Sequence, residues 1–191
     1  IYEVAYGADM GCITEAHHYV KSIATGEQPF LFTSCCPAWV ELTRRQFPDL
    51  APEISQELTP MVATARHIKE KDPEARVVFI GPCAAKKLEA SRTYIRSYVD
   101  FVITFEELAG MFDALEIIPE ELEESPIEFT ATGAGRGYAV AGGVANAIEK
   151  CINEYYPGTE VKIQHAEGLA ECKKMLTLAK AGKLNGYMIE G

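Results

Sequence analysis

Two cysteine-bearing turns constrain this chain more than anything else in it. Thr33-Ser34-Cys35-Cys36-Pro37-Ala38-Trp39-Val40 follows the apolar run Pro29-Phe30-Leu31-Phe32, and Gly81-Pro82-Cys83-Ala84-Ala85-Lys86-Lys87 follows Arg76-Val77-Val78-Phe79-Ile80. Short runs rich in branched and aromatic residues, closed by Gly or Pro, read as buried strands. A helix-like segment follows each turn. In a parallel sheet such strand-to-helix turns lie at the carboxyl ends of the strands, where the ligand sites of open α/β folds gather. Cys36 and Cys83, about fifty residues apart in sequence, are therefore expected to face one site in an α/β fold.

The chain is long enough, at 191 residues, for one domain or two small lobes. The expected division places both cysteine turns in a first lobe, 1–98, and a second lobe in 99–191. A net charge of −10 argues against nucleic acid, which wants a basic face. No apolar run approaches the roughly 20 residues that span a bilayer, so no membrane insertion is expected. No signal peptide is visible, and Ile1 is not a natural start, so upstream sequence is expected. The six cysteines (Cys12, Cys35, Cys36, Cys83, Cys151 and Cys172) are irregularly spaced, and adjacent Cys35 and Cys36 do not easily bridge each other. That pattern fits a reduced, cytoplasmic setting with cysteine used for metal or redox chemistry.

Taken in order, residues 1–11 read as the tail of an element and 13–24 as a helix with Ile13, Ala16, Val20 and Ile23 on one face. Adjacent His17 and His18 point apart on a helix and make no metal pair. Helices are expected over 38–47, from Thr59-Pro60 to Lys71 with Thr59 as N-cap, and over 87–98. Residues 101–104 read as another buried strand, with Thr104 capping a helix over 105–115 and Glu107 completing a capping box. Residues 116–126, acidic and proline-punctuated, read as a surface loop. Gly133-Ala134-Gly135-Arg136-Gly137 lacks dinucleotide or P-loop spacing and reads as an approach to a helix over 143–155. A strand over 161–163, a helix over 169–181 and a strand over 187–189 complete the pattern. His67 and His165 read as ordinary structural or surface residues.

Thiolates are soft ligands suited to iron–sulfur clusters, zinc and copper. A zinc site usually shows paired C-x-x-C or His ligands, whereas Cys36 and Cys83 stand alone on separate loops. A cluster bridging two elements fits them better, with two ligands still lacking. Neighbours on an extended turn point apart, so Cys35 is free to face the pocket while Cys36 holds metal. A partly buried Cys35 thiol is expected to titrate near enough to neutrality to relay protons. The Lys86-Lys87 doublet at a helix N-terminus is electrostatically unfavourable, which points to an anionic ligand there.

These residues resemble the iron-only (di-iron) hydrogenases. Thr33-Ser34-Cys35-Cys36-Pro37-x-Trp39 is similar to the family's first signature, and Pro82-Cys83-x-x-Lys86-Lys87-x-Glu89 to its second. Gly7-Ala8-Asp9 with Glu15, and Gly142-Gly143-Val144, extend the likeness over nearly the whole chain. The resemblance implies two lobes of mostly parallel β-sheet flanked by helices. It also implies an active-site cofactor that joins a four-iron, four-sulfur cubane to a di-iron unit, and reversible reduction of protons to dihydrogen. By the same resemblance Cys36 and Cys83 are cubane ligands, and Cys35 passes protons. Lys86 hydrogen-bonds a cyanide of the di-iron unit. Phe32, Ser34 and Pro82 line the pocket. Glu15 and Ser55 match the proton path, with Glu89 bracing its interior. Electrons are expected from a ferredoxin-type donor or neighbouring iron–sulfur domains, and cluster assembly from hydrogenase maturation proteins.

The family's third signature, with two more cysteines, is expected directly beyond Gly191. The chain by itself is accordingly expected to hold no complete cluster and to be inactive. Gly81 stands where many catalytic members carry Met, and His18 and Ser22 stand where proton-path acidic and arginine residues are usual. Those departures favour a divergent, hydrogen-sensing subgroup. Two rivals remain: a hydrogenase-like iron–sulfur assembly scaffold, against which the Cys35-Cys36 doublet argues, and a redox-sensing thiol domain.

Overall fold

The computed structural model describes residues 1–126 and 131–191. It is an α/β fold with two parallel sheets. In the larger sheet, strand β1 (Leu31–Phe32) pairs with β5 (Tyr187–Glu190), which pairs in turn with β4 (Lys162–His165). The smaller sheet joins β2 (Val78–Gly81) to β3 (Phe101–Thr104). Each sheet thus takes strands from both sides of position 98.

Strands β1 and β5 are covered on both faces, their successive side chains pointing opposite ways into two cores, whereas β4 is largely exposed. Register pairs Leu31 with Met188 and Phe32 with Ile189. Leu31 and Met188 pack under helices α1 (Ala5–His18) and α7 (Gly143–Tyr155), in a core with Cys12, Ala16, Ile148 and Ile152. Phe32 and Ile189 pack on the other side with Trp39 and Val40 of α2 (Pro37–Gln46) and Met175 and Leu176 of α8 (Gly168–Lys180). Phe30, Phe32 and Trp39 stack in series, the last two edge to face with ring centroids 5.2 Å apart.

The smaller sheet is covered on one face only. Helix α3 (Pro60–Lys71) supplies Met61, Val62 and Ala65 against Phe79 and Val102. The outward row of Val78, Ile80 and Phe101 is exposed. The runs around 78–80 and 101–103, expected as buried strands, are therefore half-covered. Helix α5 (Phe105–Ala114) beside them buries none of its residues.

Local signals explain most element ends. The Thr59 hydroxyl accepts the Val62 N–H, and Pro60 opens α3. Thr104 and Glu107 form the full capping box at the start of α5. Two segments differ from expectation. The first helix begins at Ala5, eight residues earlier than its apolar stripe suggested, and ends in one wide π turn, Tyr19–Ile23. Its extra turns carry Gly7 and Ala8 against other elements, where small size rather than hydrophobicity decides. Helix α4 (Ala85–Ala90) is only six residues long, and 91–98 are turns. There the Ser91 hydroxyl donates to the Leu88 carbonyl, a local bond that competes with continued helix. A short helix α6 (Gly133–Arg136), capped by Thr132, occupies the glycine-rich approach. The acidic 116–126 segment is exposed apart from partial cover at Ile117 and contains one 3-10 turn, Pro119–Glu121.

Candidate functional site

The carboxyl ends of all five strands open on one cavity of about 580 Å³. Cys35 and Cys36 follow β1, Gly81, Pro82 and Cys83 close β2, and Phe105 follows β3. Ala166 and Gly168 follow β4, and Glu190 and Gly191 close β5. The volume lies within the roughly 300–1,000 Å³ of small-molecule and cofactor sites.

The two neighbouring cysteines part company here. The Cys36 sulfur caps α2, accepting the Trp39 N–H at 3.5 Å, and packs with the α2–α8 side of the core. Cys35 turns instead to the α1–α7 side. Burial is the main cause that pushes its thiol up to about 12, aided by Glu15, Glu190 and Cys36 and only partly offset by Lys86. The expectation of a thiol titrating near neutrality is thus corrected: burial keeps Cys35 protonated. The phenol of Tyr138, on the cavity wall, hydrogen-bonds the Cys35 sulfur.

Glu15 is the near-neutral group. Its carboxyl, buried on α1, is raised from 4.5 to about 7, chiefly by desolvation and also by the charge of Glu57. A hydrogen bond from Ser55 opposes that rise. Its Oε1 has no hydrogen-bond partner among the described residues. Ser55 thus bonds Glu15, whose charge in turn acts on Cys35.

Lys86 reaches across from α4. Its Nζ donates to the Cys35 carbonyl at 2.9 Å and to Glu89 Oε2 at 2.8 Å. The buried Glu89 also accepts the Thr59 hydroxyl at 2.7 Å. An ammonium has three donors, so one remains for the cavity that Lys86 lines. Lys87 pairs with Glu107. Two carboxylates of the chain itself, Glu89 and Glu107, thus pair with this lysine doublet.

Two residues expected to line the pocket do not. Phe32 is wholly buried in the core against Trp39. Ser34 donates its hydroxyl to the Glu57 carbonyl at 3.0 Å, facing a second cavity of about 140 Å³ that Ser55 and Glu89 also line. Both faces of β1 are covered, so Phe32 packs inward as Leu31 does, while Cys35 and Cys36 line the cavity. Pro82 lines the main cavity as expected. His18 bonds Gln28 and His17 bonds Tyr156, both away from it.

The far wall is the glycine turn before α7. Gly142 takes a left-handed φ of 71° at the N-cap, and a Cβ on Gly143 would run into the carbonyls of Gly137 and Tyr138. Glu190 accepts the Ala145 N–H at 2.9 Å and caps this helix start from β5. Its carboxyl is raised by burial, against the pull of these backbone bonds. Sequence reading missed Glu190 and Tyr138. The signals were an acid closing an apolar strand and a tyrosine inside a glycine-rich run.

Among the described residues no group of three or more His, Cys, Asp or Glu side chains is placed to hold a metal ion. What the cavity offers is three free thiols, Cys35 and Cys36 from one loop and Cys83 from another, one ammonium with a donor left, and otherwise mainly apolar walls. That set fits a soft, anionic iron–sulfur group.

Comparison with known proteins agrees with this chemistry. The family described as "Iron only hydrogenase large subunit, C-terminal domain" matches residues 1–191. Iron hydrogenase 1 of Clostridium pasteurianum is 30% identical over the whole chain and 36% of its own length. The periplasmic [Fe] hydrogenase large subunit of Nitratidesulfovibrio vulgaris is 25% identical over 99% of the chain and 55% of its own length. The cytosolic Fe-S cluster assembly factor NAR1 of Kluyveromyces lactis is 37% identical, over 46% of the chain and 19% of its own length. The chain thus spans about a third to a half of the two hydrogenases. The fold matches a variant of [FeFe]-hydrogenase HydA1 from Chlamydomonas reinhardtii with a TM-score of 0.79 at 23% identity, covering 99% of the chain and 66% of that structure. No helix among the described residues is long and apolar enough to cross a membrane. The chain belongs to the family formed by the C-terminal domain of the iron-only hydrogenase large subunit.

Proposed function

We propose that the chain is the cluster-holding part of an iron-only hydrogenase that reversibly reduces protons to dihydrogen. The observation that carries this reading is that Cys36 and Cys83, free and after separate strands, line one mainly apolar cavity together with Cys35, on which Glu15 acts electrostatically. When bound, the cubane-linked di-iron cluster supplies the electrons and the centre at which protons and dihydrogen interconvert. Cys36 and Cys83 hold its cubane. Lys86, fixed by Glu89 and the Cys35 carbonyl, offers its remaining N–H to an anionic ligand of the cluster. Pro82 and the glycine turn exclude water. Cys35 hands a proton into the cavity and Glu15, poised near neutrality, replaces it, with Ser55 donating from behind. Electrons come from a ferredoxin-type donor or neighbouring iron–sulfur domains, and maturation proteins load the cluster in the cytoplasm. Gly81, His18 and Ser22 support a divergent, hydrogen-sensing branch.

The test is iron content and hydrogen turnover of the matured full-length protein. Bound iron with hydrogen evolution or uptake supports the proposal. The local similarity to the NAR1 assembly factor favours a second reading, a scaffold. Stoichiometric iron with no hydrogen turnover in either direction selects the scaffold and rejects the enzyme.

A further inference from the structure

We propose that Glu57 is the station through which the buried carboxyl of Glu15 exchanges its proton with solvent. Glu15 is sealed in the core, 3% exposed, so any proton it carries needs a route outward. Ser55 is its hydrogen-bonded neighbour. Beyond Ser55, His18 is turned aside, its Nε2 held at 3.0 Å by the Gln28 side chain. Glu57 is placed differently. Its N–H donates to the Ser55 hydroxyl oxygen at 3.1 Å, and its carbonyl accepts the Ser34 hydroxyl. These two bonds pin the Glu57 backbone to the back of the site.

Glu57 also lines two cavities. One, of about 140 Å³, is lined by Ser55 and Glu89; the other, of about 290 Å³, by Arg66, His67 and Glu70. It is partly buried. Its charge acts on Glu15, which places the two carboxylates within electrostatic reach.

A hydroxyl has one proton and two lone pairs. The Ser55 proton goes to Glu15 and one lone pair takes the Glu57 N–H, leaving the other lone pair for a proton arriving from the smaller cavity. A proton leaving the Glu57 carboxyl therefore reaches Ser55, directly or through water in that cavity, while Ser55 passes its own proton to the Glu15 carboxylate. The result is Glu57 carboxylate, an intact Ser55 hydroxyl and protonated Glu15. No electrons move. Its use in hydrogen chemistry rests on the proposed function; the exchange itself does not.

The test separates the two. In the chain as it stands, carbon NMR of the Glu15 side-chain carboxyl reads proton exchange near its midpoint. Glu57→Gln keeps the shape of residue 57 and removes its proton, and exchange is expected to slow by roughly tenfold or more, towards the 10²–10⁴ range typical of a lost acid–base group. Glu57→Asp is expected to recover most of the rate, and His18→Ala to leave it unchanged. Equal exchange in Glu57→Gln and the parent chain, or slowing by His18→Ala alone, overturns the proposal. In the matured full-length protein, Glu57→Gln should slow hydrogen turnover by a similar factor. If the parent protein turns over no hydrogen while the NMR result holds, the hydrogenase reading fails and the Glu57 route stands.

Discussion

The ring of Phe79 lies over Gly81 so closely that a Cβ at position 81 would stand 2.7 Å from its edge. The two residues are two apart on β2 and so share one face of the strand. The space a larger residue 81 would take is filled by its neighbour, and both line the cavity. Gly81→Met alone is expected to overpack the site and cost about 1–3 kcal/mol. Adding Phe79→Ala should recover part of that loss. Denaturant unfolding of the single and double variants measures the coupling, and strict additivity of the two changes would show that the residues do not compete for space.

Glu15 makes stability depend on pH. Its carboxyl rises from 4.5 in the unfolded chain to about 7 in the folded one. Between those values the folded state binds more protons than the unfolded, so this contribution is fully present below about 4.5 and is lost as pH rises to about 7. The loss amounts to about 3 kcal/mol at 1.36 kcal/mol per unit. Glu15→Gln should abolish it. The check is the difference in unfolding free energy between parent and variant at about pH 4.5 and about pH 7.5, which should change by this amount; a constant difference would contradict it.

Lys86 and Glu89 are a buried pair, the side chains 12% and 2% exposed. Removing one partner leaves the other charge without compensation. Glu89→Ala is therefore expected to destabilise by about 3–5 kcal/mol, and it also strips Thr59 of its acceptor. The double change Lys86→Met with Glu89→Leu should cost less than Glu89→Ala. Thermal or urea unfolding measures both, and a double variant weaker than the single would mean the pair contributes net stability.

Cys35 and Cys36 should separate in the matured full-length protein. Cys35→Ser is expected to keep iron while turnover drops by roughly 10²-fold or more, since a hydroxyl is a far weaker acid than a thiol. Cys36→Ser removes a first ligand and should lose the cluster. Iron analysis alongside hydrogen evolution distinguishes the two. Equal iron loss in both variants would make both cysteines structural ligands.

The turns, caps and cavity cysteines were legible in the sequence because each depends on residues close in the chain. Thr59-Pro60 and Thr104 with Glu107 fold as their local hydrogen bonds dictate. Two cysteines after two strands were expected at one site and do line one cavity, although their strands belong to different sheets. Sheet partners were not legible: β1 pairs with β5 across more than 150 residues, and no local pattern selects that partner. Burial decided the rest. The same position rules out Phe32 as a pocket residue, turns Cys35 from an ordinary thiol into a reluctant acid, and turns Glu15 from an ordinary carboxylate into a near-neutral one. A side chain's identity is written in the chain, but its solvation is set by what the other elements pack against it, and solvation fixes where its proton sits.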